Sequence, residues 1–271
     1  MRNECEHSNF LQLYSSAQGG EVQLLLDSDA SGPKWQSTTN TSRPINVAII
    51  LGYFNGRAFI EEQLNSIFNQ SLKDHHVFVC DDQSAQPFAI DELKLDDNKL
   101  SKLSVVTNPQ NLGYVNNFLN TLKAVGDKFD YYAFSDQDDI WNEDKLRKSV
   151  EALKAAPVDT PALYCARTEI VDASANRSLG FSPVFGKPPS FANALIQNIG
   201  GDDTMVFNRS ARDLIINVVH DTPVISHDWW SYQMVTGAGG YVIYDPEPCL
   251  KYRPMIQQSS YWISGGRSFW V

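Results

Sequence analysis

The sequence predicts an α/β fold in which a mostly parallel central sheet is flanked by helices. Between residues 45 and 155, short apolar runs of strand length alternate with longer segments of helical periodicity. The first run, residues 45–51, is rich in Val and Ile, as is typical of a strand buried on both faces of a parallel sheet. Polar residues come directly after several of these runs. This alternation indicates a Rossmann-like sheet.

The elements of the first half follow one another in strand–helix order. After residues 45–51, the predicted strands are residues 76–80, 103–106 and 131–135, and the predicted helices are residues 59–70, 113–125 and 143–155. Ligands of such sheets bind outside the carboxyl ends of the strands. The polar residues at these ends are Asn55, Asp82, Asn111 and the acidic residues 136–139. We therefore expect them to line one cleft.

The second half is expected to continue the same domain, which we place at residues 44–271, because no repeat or linker-like break divides it. Its predicted strands are residues 163–166, 204–207 and 241–244, and its predicted helices are residues 191–197 and 227–235. Residues 1–43 are polar, and the Ser, Thr, Asp, Gly and Asn content of residues 27–44 is typical of a linker. We expect a flexible N-terminal extension there.

Composition excludes several classes of protein. The formal net charge of −10 argues against a nucleic-acid-binding protein, which needs clustered Lys and Arg. No run approaches the roughly 20 apolar residues of a spanning helix, and no signal peptide is recognisable. The 4 cysteines lie far apart, as in a reduced, cytoplasmic protein. Of these, Cys80 and Cys165 lie in apolar runs and are expected in the core.

An acidic cluster follows the predicted strand at residues 131–135. Asp136 and Asp138 are spaced i and i+2, and two such carboxylates can chelate one hard divalent cation. That cation would neutralise the phosphates of a bound nucleotide diphosphate and assist its departure. The alternative is that Asp139 caps the next helix while the other carboxylates are solvated. The position directly after a buried strand favours the metal site.

Two further acidic segments are candidates for binding and catalysis. At the end of its strand, Asp82 can accept hydrogen bonds from a nucleobase or ribose, although a turn formed by Asp81 and Asp82 explains the pair equally well. In the segment 227–230, Asp228 can take the proton of an attacking hydroxyl group. Trp229 and Trp230 can stack on sugar rings, although paired tryptophans on a helix are more often core residues.

Taken together, these segments resemble glycosyltransferase family 2. Residues 45–84 are similar to the opening of that family, where an apolar strand, Tyr-Asn-Gly, a helix and a second strand lead to Asp-Asp-Gly-Ser. The further similar segments, in the family's order, are residues 111–113, 135–141, 198–209 and 226–230. Ser-Asp-Gln-Asp-Asp-Ile-Trp and His-Asp-Trp-Trp resemble its rhamnosyltransferase-like branch most closely.

The resemblance implies a GT-A fold and an inverting transfer from a dTDP- or UDP-sugar to a saccharide or lipid-linked acceptor in surface polysaccharide or O-antigen synthesis. It implies Mg²⁺ or Mn²⁺ held by Asp136 and Asp138, and Asp228 as general base. The implied nucleotide-binding residues are Tyr53, Phe54, Asn55, Asp82, Asn111 and Gly113. The residues expected to border the sugars are Gly201, Asp202, Trp229 and Trp230. A lipid-linked acceptor further implies that the protein is in peripheral contact with the inner membrane.

The sequence departs from the family pattern at three places. Gln83 stands where Gly is usual, and Arg57 stands where relatives often have an acid. After Arg253, relatives commonly continue Gln-His-Gly-Ser-Asn, and that His can complete the metal site, whereas this chain continues with Pro254. We therefore expect a truncated, frameshifted or divergent C-terminus.

Two other functions compete with sugar transfer. A remnant that binds nucleotide sugars without turning them over is compatible with the altered C-terminus. A metal-dependent nucleotidyltransferase also places acids at the ends of parallel strands, but it usually has a glycine-rich, basic phosphate loop. Residues 55–57, Asn-Gly-Arg, are a poor version of that loop.

Overall fold

The computed structural model describes residues 45–157, 159–217 and 223–254, which form a nine-stranded mixed sheet with helices packed on both of its faces. The predicted extension at residues 1–43 and the divergent segment after Pro254 lie outside the described residues, so both expectations stay predictions.

The predicted parallel half of the sheet is confirmed. Its strands, in chain order, are β1 (Val47–Tyr53), β2 (His75–Asp81), β3 (Leu103–Thr107) and β4 (Tyr131–Ser135). They pair in the order β3-β2-β1-β4, and every pair is parallel. The helices between them are α1 (Ile60–Phe68), α2 (Asp97–Leu100) and α3 (Tyr114–Val125). All four carboxyl ends therefore lie at one edge of the sheet.

The second half extends the same sheet with antiparallel pairs. Its strands are β5 (Ile140–Trp141), β6 (Ala162–Val171), β7 (Ser178–Phe181), β8 (Val206–Asn208) and β9 (Tyr241–Tyr252). Its helices are α4 (Lys145–Leu153), α5 (Phe191–Ala194), α6 (Arg209–Asn217) and α7 (His227–Gly237). Strand β8 pairs antiparallel with both β4 and β6. Strand β7 is antiparallel to β6, and β5 is antiparallel to β9. Strands β6 and β9 are parallel to each other.

Alternating side chains of β1 explain why helices cover both faces. Val47, Ile49 and Leu51 pack into one hydrophobic cluster with α1 and α4. Ala48 and Ile50 pack into a second cluster with α3, α6 and α7. All five side chains are fully buried, so both faces of β1, an interior strand of the sheet, are covered.

Strand β9 is longer than its predicted span of residues 241–244. It continues to Tyr252 because the register opposite β6 shifts at Arg167, which faces Pro248. This extension brings Arg253 to the acidic segment after β4. Of the thiols, Cys80 and Cys165 are buried and free, which confirms their predicted core positions. In the described residues, no helix is long and apolar enough to cross a bilayer.

Candidate active site

The end of β1 is tied to the acidic segment after β4 by a reciprocal pair of hydrogen bonds. The backbone N–H of Phe54 donates to Gln137 Oε1 at 2.8 Å, and Gln137 Nε2 donates to the carbonyl of Phe54 at 3.1 Å. A Cβ atom at Gly56 would lie 2.0 Å from Gln137 Oε1, so only glycine fits under this amide. Tyr53 is buried and its ring packs edge-on against Phe88 at 5.2 Å.

The carboxylate of Asp82 organises the loop that leads into α3. Its oxygens accept from Asn108 Nδ2 at 2.9 Å and from the backbone N–H groups of Leu112 at 2.8 Å and Gly113 at 2.9 Å. Asp82 is only 3% exposed. The alternative interpretation, in which the acidic pair forms a turn, fits Asp81, whose Oδ1 accepts from the N–H of Ser84 at 2.8 Å. Direct contact of Asp82 with a nucleotide stays a prediction.

Asn55 and Asn111 hold neighbouring loops together at the same edge. The N–H of Asn55 donates to the Ser84 hydroxyl at 2.8 Å, and its Oδ1 accepts from Ala85 N–H at 3.0 Å. Asn111 Nδ2 donates to the carbonyl of Asp82 at 3.0 Å. Both amides therefore support the backbone that surrounds the cleft, and a direct role toward a ligand stays a prediction for each.

Gln83 replaces the family's glycine in a backbone conformation that favours glycine, with φ +60°. Its side chain bridges to the next loop: Nε2 donates to the carbonyl of Pro109, and Oε1 accepts from the N–H of Asn111, both at 3.1 Å. The two bonds partly offset the cost of the left-handed conformation. The departure seen in the sequence is thus accommodated locally.

We expect the Gln83→Gly variant to be more stable than the Gln83→Ala variant by about 1 kcal/mol. Both substitutions remove the two side-chain bonds, so their difference isolates the conformational cost of a Cβ atom at φ +60°. Urea denaturation of the two variants measures it. Equal or greater stability of the alanine variant would contradict the left-handed assignment.

The acidic segment after β4 is held by Asp203, a residue that the sequence analysis did not single out. Asp203 Oδ1 accepts from the backbone N–H of Asp136 at 3.2 Å, and Asp203 is 3% exposed. The predicted neighbours Gly201 and Asp202 lie in the same turn, where the Gly201 carbonyl accepts from the Thr204 hydroxyl at 2.7 Å. The turn at residues 201–204 therefore borders the acidic segment.

Arg253 is the second residue that the sequence analysis missed. Its buried guanidinium donates through Nη1 to the backbone carbonyl of Asp138 at 2.6 Å and pairs with Glu62 on α1. It also lies 5.4 Å from the ring centre of Phe59. Desolvation by burial raises the pKa of the Asp138 carboxyl, and the positive charge of Arg253 opposes that rise. Arg253 thus holds the backbone of Asp138 and partly offsets the effect of burial on its carboxyl.

Lys145 lies behind the same segment. It is 1% exposed, and its Nζ lies 3.5 Å from the ring centre of Trp141. Burial lowers the pKa of the lysine to about 8, against the opposing effects of Cys249, Asp203 and Asp139. Together with Arg253, this buried cation therefore balances part of the negative charge that the acidic segment brings together.

The chemistry of the acidic segment fits a divalent cation. Asp136 and Asp138 are partly exposed and offer only oxygen ligands, which Mg²⁺ and Mn²⁺ prefer. Within the described residues, no three His, Cys, Asp or Glu side chains are arranged as a complete metal site. Two carboxylates would leave the other coordination positions to diphosphate oxygens and water, and metal binding stays a prediction.

Asp228, the predicted base, lies in the first turn of α7. Its Oδ2 accepts from Asn198 Nδ2 at 2.7 Å, and its Oδ1 accepts from the N–H of Trp229 at 2.6 Å and from the Ser226 hydroxyl. The indole of Trp229 donates to the carbonyl of Ala194 at 2.6 Å. That of Trp230 donates to the carbonyl of Ile215 at 3.3 Å. Both indoles brace α7, and sugar stacking by either stays a prediction.

A circuit of hydrogen bonds and short stretches of backbone joins the candidate residues at one edge of the sheet. Asp82 contacts Gly113, and the hydroxyl of the next residue, Tyr114, donates to the carbonyl of Ile225 at 2.9 Å, three residues before Asp228. Asp228 contacts Asn198, and the backbone leads from there to Asp203, which contacts Asp136. The circuit continues through Gln137, Phe54, Asn55 and Ser84 to Asp81, the neighbour of Asp82. The three acidic segments are therefore linked to one another.

His227, next to the candidate base, is buried among aromatic rings. Its ring stacks on Phe118 at 4.1 Å and meets Phe134 edge-on at 4.7 Å. Burial lowers the pKa of His227 to about 3, so the folded protein holds a neutral imidazole that the unfolded chain would protonate below about pH 6.5.

We expect the free energy of unfolding to fall as the pH is lowered from about 6.5 to about 3, because the unfolded state binds the proton first. The contribution of His227 approaches about 1.4 kcal/mol per pH unit inside that window. The His227→Phe variant, which keeps the stacking, should show a flatter dependence in urea titrations at pH 7, 6 and 5. The same slope in both proteins would contradict the assignment.

Comparison with known proteins identifies the family of the chain. Residues 48–213 match the profile "Glycosyl transferase family 2". The chain is 35% identical over 103 residues to "dTDP-rhamnosyl transferase RfbG" of Shigella flexneri, covering 37% of this chain and 35% of that protein. It is 28% identical over 107 residues to "UDP-Glc:alpha-D-GlcNAc-diphosphoundecaprenol beta-1,3-glucosyltransferase WfgD" of Escherichia coli, covering 40% of each. The matches thus span little more than a third of these relatives.

Solved structures share the fold. TarS 1-349 of S. aureus in complex with UDP-GlcNAc is similar with a TM-score of 0.58 and 16% identity, over 78% of this chain and 59% of that chain. The mannosyltransferase PcManGT of Pyrobaculum calidifontis, in complex with GDP-Man and Mn²⁺, has a TM-score of 0.53 and 17% identity, over 84% and 63%. With the profile match covering more than half of its length, the chain belongs to glycosyltransferase family 2.

Proposed function

We propose that the protein is an inverting glycosyltransferase that moves a rhamnosyl or hexosyl unit from a dTDP- or UDP-sugar to a saccharide or lipid-linked acceptor in surface polysaccharide or O-antigen synthesis. The observation that carries the proposal is the link from Asp228 through Asn198 and the turn at residues 201–204 to the acidic segment. This link supports the proposal that a base and a cation site lie on one rim.

In the proposed reaction, the Asp228 carboxylate takes the proton of an acceptor hydroxyl group. At the same time, the oxygen of that hydroxyl group forms a bond to the anomeric carbon of the donor sugar. The bond between that carbon and the diphosphate oxygen breaks, and the nucleotide diphosphate leaves with both electrons. Asn198 and Ser226 orient the Asp228 carboxylate for this transfer. Attack from the face opposite the leaving group inverts the configuration.

The leaving group would lie against the acidic segment. Asp136 and Asp138 would hold Mg²⁺ or Mn²⁺, which supplies positive charge for the departing diphosphate when bound. Arg253 and Gln137 keep the segment in place through the backbone of Asp138 and Phe54. The residues at or after the carboxyl ends of β1, β2 and β3 would hold the nucleotide: Tyr53, Phe54, Asn55, Asp82, Asn111 and Gly113.

The names of the relatives support the donor and acceptor classes. RfbG is named as a dTDP-rhamnosyl transferase, and WfgD as a UDP-glucose-dependent enzyme that acts on a diphosphoundecaprenol-linked sugar. A lipid-linked acceptor would bring this protein into peripheral contact with the cytoplasmic face of the inner membrane. Gly201, Asp202, Trp229 and Trp230 would border the donor and acceptor sugars.

Calorimetric titration with UDP and dTDP, with and without Mn²⁺, tests the proposal together with a hydrolysis screen against a panel of nucleotide sugars. We expect metal-dependent binding of one nucleotide and slow hydrolysis of its sugar conjugate. Binding without hydrolysis or transfer would identify a remnant of the family that has lost catalysis. No binding of either nucleotide would overturn the proposal.

A further inference from the structure

The segment of residues 179–196, here called the apolar stretch, exposes an unusual number of large hydrophobic side chains. Six of the ten such exposed side chains in the described residues lie within it: Leu179, Phe181, Val184, Phe191, Leu195 and Ile196. The last two are 61% and 67% exposed. Single exposed hydrophobic residues are normal, whereas a contiguous exposed group marks an interaction surface, so this concentration along the chain makes the stretch a candidate for one.

The charge within the apolar stretch and its flanks is opposite in sign to that of the whole chain. The protein carries 32 acidic residues and a net charge of −10, yet residues 173–201 contain neither Asp nor Glu. The two charged side chains in this range, Arg177 and Lys187, are basic and exposed. On β6, the guanidinium of Arg167 lies 5.3 Å from the ring centre of Phe181, whose strand partner is Glu169, and Asp172 accepts from the N–H of Arg177. Residues 173–201 themselves therefore combine exposed apolar side chains with two basic ones.

The backbone of the apolar stretch is held by the rest of the fold. Strand β7 pairs with β6, and Arg167 Nε donates to the carbonyl of Ser182 at 2.9 Å. The Tyr244 hydroxyl donates to the carbonyl of Pro183 at 3.0 Å, and the N–H of Ser190 donates to the Tyr232 hydroxyl at 3.0 Å. The hydrophobic side chains are thus presented outward from a fixed support.

One end of the apolar stretch reaches the candidate catalytic carboxylate. The carbonyl of Ala194 accepts from the Trp229 indole at 2.6 Å, and Asn198, two residues beyond Ile196, donates to Asp228 at 2.7 Å. An acceptor whose lipid lay along the stretch would have its sugar close to Asp228. This placement favours a lipid surface over a protein partner.

We propose that the apolar stretch docks the protein on an anionic lipid bilayer, with its hydrophobic side chains in the interfacial layer and Arg177 and Lys187 against lipid phosphates. Apolar side chains beside basic residues are the combination that holds peripheral proteins at such surfaces. Only the delivery of an acceptor to Asp228 rests on the proposed function. Docking itself requires neither a donor nor sugar transfer.

The test is co-sedimentation of the full chain with vesicles of phosphatidylglycerol and phosphatidylethanolamine, and with vesicles of phosphatidylcholine alone. We expect binding to the anionic vesicles that the double variant Leu195→Ser/Ile196→Ser weakens by about tenfold or more. The matched control is Tyr241→Ser, because Tyr241 is exposed at the start of β9, at the opposite end of the sheet. It should bind as the unaltered protein does.

Equal binding of the double variant and the unaltered protein would overturn the proposal, as would equal binding to both kinds of vesicle. A dimer of the unaltered protein that the double variant converts to a monomer would also overturn it, by assigning the stretch to a second copy of the chain. Nucleotide titration of the same variants separates the two proposals. A variant that no longer binds vesicles but still binds nucleotide is impaired in docking alone, and this result leaves the proposed function untouched.

Discussion

The Asp228→Asn variant should lose sugar transfer by about 10² to 10⁴-fold in kcat, because it removes the group that takes the acceptor proton. The asparagine Oδ1 can still accept from Ser226 and from the N–H of Trp229, and a turned Asn198 amide can accept from its Nδ2, so the first turn of α7 should keep its position. Nucleotide affinity should therefore be nearly unchanged. Transfer assays and calorimetric titration of the same preparation measure both quantities.

A neutral substitution of another acid controls for the change in charge. Asp213→Asn, on α6, removes a carboxylate that pairs with Arg212 away from the circuit around Asp228. It should leave both transfer and nucleotide binding unaltered. If the Asp228→Asn variant transferred sugar at the rate of this control, Asp228 would not be the base of the reaction.

The Asp138→Ala variant should show the opposite pattern, with metal-dependent nucleotide binding weakened by about tenfold or more. The side chain of Asp138 is partly buried, and Arg253 holds its backbone carbonyl, so the segment should keep its position when the carboxylate is removed. Titrations of UDP and dTDP with and without Mn²⁺ give the metal-dependent part of the affinity. Asp136→Ala should have a smaller effect, because the resemblance to glycosyltransferase family 2 implies that Asp138 is the more direct ligand.

Asp127→Ala, an exposed substitution before β4 at the far edge of the sheet, is the matched control for Asp138→Ala. It should leave the effect of Mn²⁺ on nucleotide binding unchanged. If Asp138→Ala and Asp228→Asn impaired binding and transfer alike, the separation of their roles would be wrong. An effect of Asp138→Ala that is the same without Mn²⁺ would argue against a metal ligand.

Local pattern determined much of the fold. The strand at Tyr131–Ser135 was predicted to the residue, and the other three strands of the parallel half were predicted within two residues at each end. A strand that is buried on both faces leaves a continuous apolar run, which can be recognised without knowledge of its neighbours. The short β5 and β7 leave too little periodicity for that recognition.

The candidate site, too, was determined partly by the sequence and partly by the tertiary structure. By itself the sequence determined which acids follow strands, and so which segments meet at one edge of the sheet. Only the tertiary structure showed that Asp203 holds the backbone of Asp136. It also showed that Arg253 joins Glu62, which lies 191 residues earlier in the chain, to Asp138. Contacts between residues so far apart depend on strand order and register, which no local spacing encodes.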